Sequence, residues 1–65
     1  MYSTLKAEIA RKEMKFAEIA RACDMLESTF SNKINGRSPW NLPECVKVKD
    51  VLGVDMPIDE LFKED

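Results

Sequence analysis

Phe16-Ala17-Glu18-Ile19-Ala20-Arg21-Ala22-Cys23-Asp24-Met25-Leu26-Glu27-Ser28-Thr29-Phe30-Ser31-Asn32-Lys33-Ile34-Asn35 carries two helical patterns with a break between them. Phe16 to Ala22 predicts a short helix whose inward residues are Ile19, Ala20 and, at its end, Cys23. Glu27 to Ile34 predicts a second, which buries Phe30 and Ile34, four apart and so on one face. Cys23-Asp24-Met25 reads as a tight turn, because Asp tolerates the left-handed backbone conformation better than most non-glycine residues. Helices that cross closely need a small residue at the crossing, and Ala20 supplies it four residues before Asp24. Asn35-Gly36 stops the second helix, since Gly takes positive φ without steric cost.

Upstream, about Ser3 to Lys12 predicts a helix with Leu5 and Ile9 on one face. Lys6, Glu8, Arg11 and Lys12 then turn largely to water, and Ser3 or Thr4 is the expected cap. No glycine or proline separates this helix from the next, so the break near Glu13–Lys15 follows from the phase of the pattern alone. Downstream, Arg37-Ser38-Pro39-Trp40 is a loop, and Asn41-Leu42-Pro43-Glu44 is a helix start. Asn41 caps, Pro43 lacks an N–H that the first turn would leave unpaired, and Glu44 reaches back as in a capping box. That fourth helix should run to about Leu52 with Leu42, Cys45, Val48 and Leu52 on one stripe, flanked by Val46 and Val51. Gly53 ends it. Pro57 opens a short fifth turn through Ile58, Leu61 and Phe62, read as a terminal clip on the core or, alternatively, as a self-association surface. Trp40 and Leu42 bracket a helix start as a core staple would.

These elements make an all-α fold, a compact bundle of four to five short helices. Residues 1–65 form one domain, with no β-type alternation, repeat, linker or low-complexity stretch. A domain this small buries only about 60% of the surface its unfolded chain exposes. Hydrophobic residues at 45% and charged residues at 34% suit a globular chain rather than a disordered one.

Two cysteines and no histidine are too few for a disulfide scaffold or a four-ligand zinc site. Cys23 and Cys45 read as small buried thiols in a reducing cytoplasm. No apolar run approaches the roughly 20 residues of a membrane span. Charges inside the first apolar pattern exclude a signal peptide, so a cytoplasmic location is expected. With no histidine, no nucleophile beside a base, no Gly-rich phosphate loop and no metal set, the chain is not expected to be an enzyme. Neither a cofactor nor a small-molecule ligand is expected.

Net charge is −2, but it is unevenly spread. Residues 1–38 carry seven Lys/Arg against five Asp/Glu, a net of +2, whereas residues 39–65 carry three against seven, a net of −4. The direction of the field matters more than its total for steering toward phosphates.

The stretch from Phe16 to Asn35 resembles the helix-turn-helix of the lambda repressor/Cro-like (XRE) family, especially its short phage and mobile-element members. The likeness continues through Lys33-Ile34-Asn35-Gly36-Arg37, Trp40-Asn41-Leu42 and Leu61-Phe62, and so covers nearly the whole chain. It departs from the family pattern in three places. Asp24 stands where the turn usually has Gly, and Leu26 where Ser or Thr often precedes the recognition helix. Phe16 replaces a common phosphate-contacting Gln and can donate no side-chain hydrogen bond, leaving only backbone N–H groups there.

The resemblance implies a regulator that binds double-stranded DNA in the major groove, located at the nucleoid of a bacterial host. Base readers would be Glu27, Ser28 and Asn32, with Leu26 at the edge. Asn pairs bidentately with adenine, Glu accepts from cytosine N4, and Ser serves either way. Glu27 is equally well placed simply to cap its helix, where the macrodipole favours it. Lys15, Lys33, Arg37 and Ser38 would hold phosphates, with Thr29 and Ser31 as further contacts. One recognition helix reads few base pairs, so a homodimer on a palindromic operator is expected, paired through the fourth and fifth helical segments. The competing expectation is a protein-binding module on the same scaffold, such as an antitoxin or anti-repressor, suggested by low net basicity and Glu27 on the reading face.

Overall fold

The five helices read from the sequence are the ones the chain forms. In the computed structural model, which describes residues 1–65, α1 spans Ser3–Arg11, α2 Phe16–Ala22, α3 Glu27–Ile34, α4 Leu42–Leu52 and α5 Ile58–Leu61. There is no strand. The principal extents are 24 × 22 × 20 Å, and no helix is long and apolar enough to cross a membrane.

The first three helices end in the same way. After α1, Glu13 N–H donates to Ala10 O at 3.0 Å and Met14 N–H to Ile9 O at 3.3 Å. After α2, Asp24 N–H donates to Arg21 O at 3.2 Å and Met25 N–H to Ala20 O at 2.9 Å. After α3, Gly36 N–H donates to Lys33 O at 3.1 Å and Arg37 N–H to Asn32 O at 2.8 Å. Each pair is a Schellman closure, which satisfies carbonyls that the last turn leaves open and requires a left-handed residue between them. Glu13 (φ 55°), Asp24 (φ 58°) and Gly36 (φ 79°) take that role. The break between α1 and α2 is therefore a built turn, although no glycine announces it.

Starts are more varied. Asn41 Oδ1 accepts from Glu44 N–H at 2.9 Å and Glu44 Oε1 accepts from Asn41 N–H at 3.1 Å, a complete capping box. At α2 only the return half exists, with Lys15 N–H donating to Glu18 Oε1 at 2.8 Å, since a lysine side chain accepts nothing. The expected cap at Ser3 or Thr4 is replaced. Tyr2 occupies the cap position in a left-handed conformation (φ 56°) without a side-chain bond, and the Ser3 hydroxyl donates to Asp65 instead.

The core joins Leu5 and Ile9 of α1, Ile19 and Ala20 of α2, Phe30 and Ile34 of α3, Val48 and Leu52 of α4, and Leu61 of α5. Tyr2 and Val54 are buried beside them. All five aromatic residues form one edge-to-face series. Phe16 meets Phe30 at 5.3 Å between centroids, and Phe30 meets Trp40 at 5.7 Å. Trp40 in turn meets Phe62 at 5.0 Å and Tyr2 at 6.4 Å. Edge-to-face pairs of this kind add about 0.5–1.5 kcal/mol beyond the area they bury. Leu61 and Phe62 thus clip the end of the chain to the core, as the sequence suggested.

Two side chains lie on the other side of the boundary from that expected. Leu42 is 66% exposed, because the apolar group covering this end of α4 is Trp40, which precedes the helix. Glu8 is buried rather than facing water, and its Oε1 accepts from Arg11 Nη2 at 2.6 Å. The exposed Arg11 lies one turn away and keeps a charge-assisted partner on the carboxylate.

Candidate nucleic-acid interface

α2 and α3 make the most extensive contact of any helix pair. Ala20 is buried between its neighbours, and the left-handed Asp24 turns the chain toward α3. Phe30 and Ile34 are fully buried, which fixes the rotation of α3 about its axis. The polar residues of α3 then have no choice of face: Glu27 and Ser28 are exposed, and Thr29, Ser31 and Asn32 are half-buried. Leu26, at the cap position of α3, is 72% exposed. Phe16 earns its place by packing on Phe30, which accounts for an aromatic at the start of α2.

Glu27 stands in the first turn of α3, where the macrodipole favours a carboxylate. It joins none of the ion pairs, so its acceptor capacity remains open. Asn32 Oδ1 accepts from Arg37 Nη1 at 3.4 Å, which lays an exposed guanidinium over the end of the outward face. Ser31 is tied to Asn35, whose Nδ2 donates to the Ser31 carbonyl at 2.9 Å and to its Oγ at 3.4 Å. Asn35 Oδ1 in turn accepts from Lys6 Nζ of α1 at 3.4 Å. The sequence marked Asn35 only as part of a helix stop and Lys6 only as a solvated charge, not as contacts of this helix. Asn35 could have been found as the residue one turn beyond Ser31, but Lys6 approaches through the tertiary fold from 29 positions away.

Lys33 departs most from expectation. Its side chain is only 12% exposed and pairs with Glu44 Oε1 at 3.0 Å. Nζ also donates to Pro39 O at 2.8 Å and lies 6.0 Å from the centre of the Trp40 ring. Two of the ammonium's three N–H donors are engaged inside the fold, tying the end of α3 to the start of α4 and leaving one for a phosphate. Lys15 is exposed at the start of α2. Arg37 and Ser38 edge an open cleft of about 500 Å³ whose walls include Tyr2, Trp40, Cys45 and Phe62.

The two cysteines are buried and unpaired with each other. Burial pushes both thiols above their ordinary value of 9.0, so they stay protonated at neutral pH. Trp40 Nε1 is buried without a hydrogen-bond partner.

Chemically, the outward side of α3 presents a free carboxylate, a hydroxyl and a carboxamide within two helical turns. An apolar side chain stands at one end and a guanidinium at the other. Compared with protein-family models, with curated proteins and with solved structures, the chain finds no match in any of the three.

Proposed function

We propose that the protein binds double-stranded DNA sequence-specifically, with α3 in the major groove, and acts as a Cro- or repressor-like transcriptional regulator of a phage or mobile element. The observation that carries this reading is the two-sidedness of α3. Phe30 and Ile34 are fully buried, while Leu26, Glu27, Ser28 and Asn32 stand on its outer side. B-DNA's major groove admits one α-helix and offers base edges to such side chains. Asn32 and Ser28 are the base readers of this proposal, Glu27 joins them, and Arg37, Ser38 and Lys15 hold phosphates. A second copy supplies the second half-site. Leu42 and Val46, 66% and 41% exposed and one turn apart on α4, give it an apolar surface to meet.

Selection from a randomised duplex library at near-physiological salt tests this. The expected result is a palindrome with half-site centres about ten base pairs apart. Asn32→Ala should then relax preference at one or two of its positions. Folded protein that enriches no sequence would sink the reading.

The capture of Lys33 by Glu44 favours a second reading, a protein-binding module of the antitoxin or anti-repressor kind. It leaves fewer cations at the end of α3 than the sequence promised. Binding to DNA only at low salt and without sequence preference would favour that alternative.

A further inference from the structure

Single exposed leucines are ordinary on protein surfaces, but Leu26 is badly placed for any local purpose. It is the most exposed large hydrophobic residue of the chain, at 72%. It occupies the cap position of α3 in an extended conformation (φ −70°, ψ 148°) with no side-chain hydrogen bond. Ser, Thr, Asn or Asp would stabilise the helix there, and Leu26 neither caps it nor fills the core. Its neighbour Glu27 is exposed at the first helical position, and its carboxylate joins none of the ion pairs.

Toward a polyanion such a pair is unfavourable unless the groove answers both side chains. An unpaired carboxylate is tolerated only opposite a donor, and the major groove offers two, cytosine N4 and adenine N6. On adenine the donor's neighbour is N7, an acceptor that repels a carboxylate. On cytosine the neighbour is C5, a carbon. The only apolar group on a base edge in ordinary DNA is likewise at a pyrimidine C5, the methyl of thymine.

We propose that the half-site contains a cytosine whose N4 donates to Glu27, beside a pyrimidine 5-methyl group that packs on Leu26. This rests on the DNA-binding reading above and names the bases it selects. The methyl comes either from an adjacent thymine or from methylation of the cytosine itself.

The test uses the duplex selected from the library. Each thymine is replaced in turn by deoxyuridine, which removes only the methyl, and each cytosine by 5-methylcytosine. Affinities are measured for the wild type, Leu26→Ala and Glu27→Gln, and thermal melts confirm that the variants fold. If thymine supplies the methyl, one deoxyuridine weakens wild-type binding about fourfold, the value of one methyl-sized contact. If the cytosine supplies it, one 5-methylcytosine strengthens binding by about the same factor. In either case Leu26→Ala is indifferent to that substitution, and Glu27→Gln loses about tenfold of the preference for cytosine.

A selected half-site without cytosine, or equal responses from the wild type and Leu26→Ala, overturns this inference and leaves the DNA-binding reading standing. Folded protein that selects no sequence overturns both.

Discussion

Residues 16–35 and residues 36–44 adjoin in the chain, yet different kinds of interaction hold them. The first stretch is built from local rules. Its apolar residues repeat at helical spacing, and Asp24 closes α2 through bonds to Arg21 and Ala20 within the preceding turn. Apart from the local capping box of Asn41 and Glu44, the second is tied across the fold. Lys33 reaches forward to Pro39 and Glu44, and Trp40 gathers Tyr2, Phe30 and Phe62, residues from three separate parts of the chain. Local rules can be read from one sequence, because they depend on spacing and on residue type at a single position. A partner supplied by tertiary packing leaves no such spacing.

The largest test of this comparison lies at Phe30, where the two regions touch. Its ring is fully buried and meets both Phe16 and Trp40. Phe30→Ala should cost about 3–5 kcal/mol, the usual toll for deleting a buried aromatic side chain. In so small a domain that is a large part of the total stability. Thermal or urea unfolding followed by circular dichroism measures it. An unchanged melting curve would mean that the phase of α3, and with it the outward face, is misassigned.

Lys33 and Arg37 separate the two regions more sharply. Both read in the sequence as members of one basic cluster. In the fold the Lys33 side chain is 12% exposed and held by Glu44, whereas Arg37 lies exposed over Asn32. Lys33→Ala should lower stability by about 1–2 kcal/mol, since it removes a charged hydrogen bond and leaves Glu44 without its cation. It should change the salt dependence of DNA binding little. Arg37→Ala should leave the melting temperature nearly unchanged and reduce the salt slope by about one phosphate contact. If instead Lys33→Ala lost salt dependence at full stability, the junction would be looser than the ion pair indicates.

What the sequence made legible follows the same division. The bounds of α2 and α3, the Asp24 turn, the Asn41 capping box and the inward Phe30 and Ile34 all rest on residues within four positions of one another. Leu42 misled because helical spacing placed it on the stripe of Cys45 and Val48, while Trp40, outside the helix, fills that end of the core. Glu8 misled because its charge assigned it to water, although it follows Leu5 by three positions and so borders the buried face of α1. The outward residues of the candidate interface were legible only as the complement of the buried ones. Lys6, which reaches that helix through Asn35, had no local mark at all.

The smallest expected effect tests the local rules on their own ground. Glu13 and Asp24 both hold left-handed conformations, at φ 55° and 58°, where Gly36 closes α3 without a side chain. A side chain there clashes with the following carbonyl, but Asp, being short and polar, is less disfavoured than Glu. Each residue also sets a negative charge beyond a helix C-terminus, where the macrodipole disfavours it. Glycine relieves both costs and returns part of the gain through the greater freedom of the unfolded chain. Glu13→Gly should therefore stabilise the protein by about 0.5–1 kcal/mol, and Asp24→Gly by less. Paired urea melts decide the order. A larger gain at Asp24 would show that its turn, unlike the one at Glu13, is strained by how tightly α2 and α3 are drawn together.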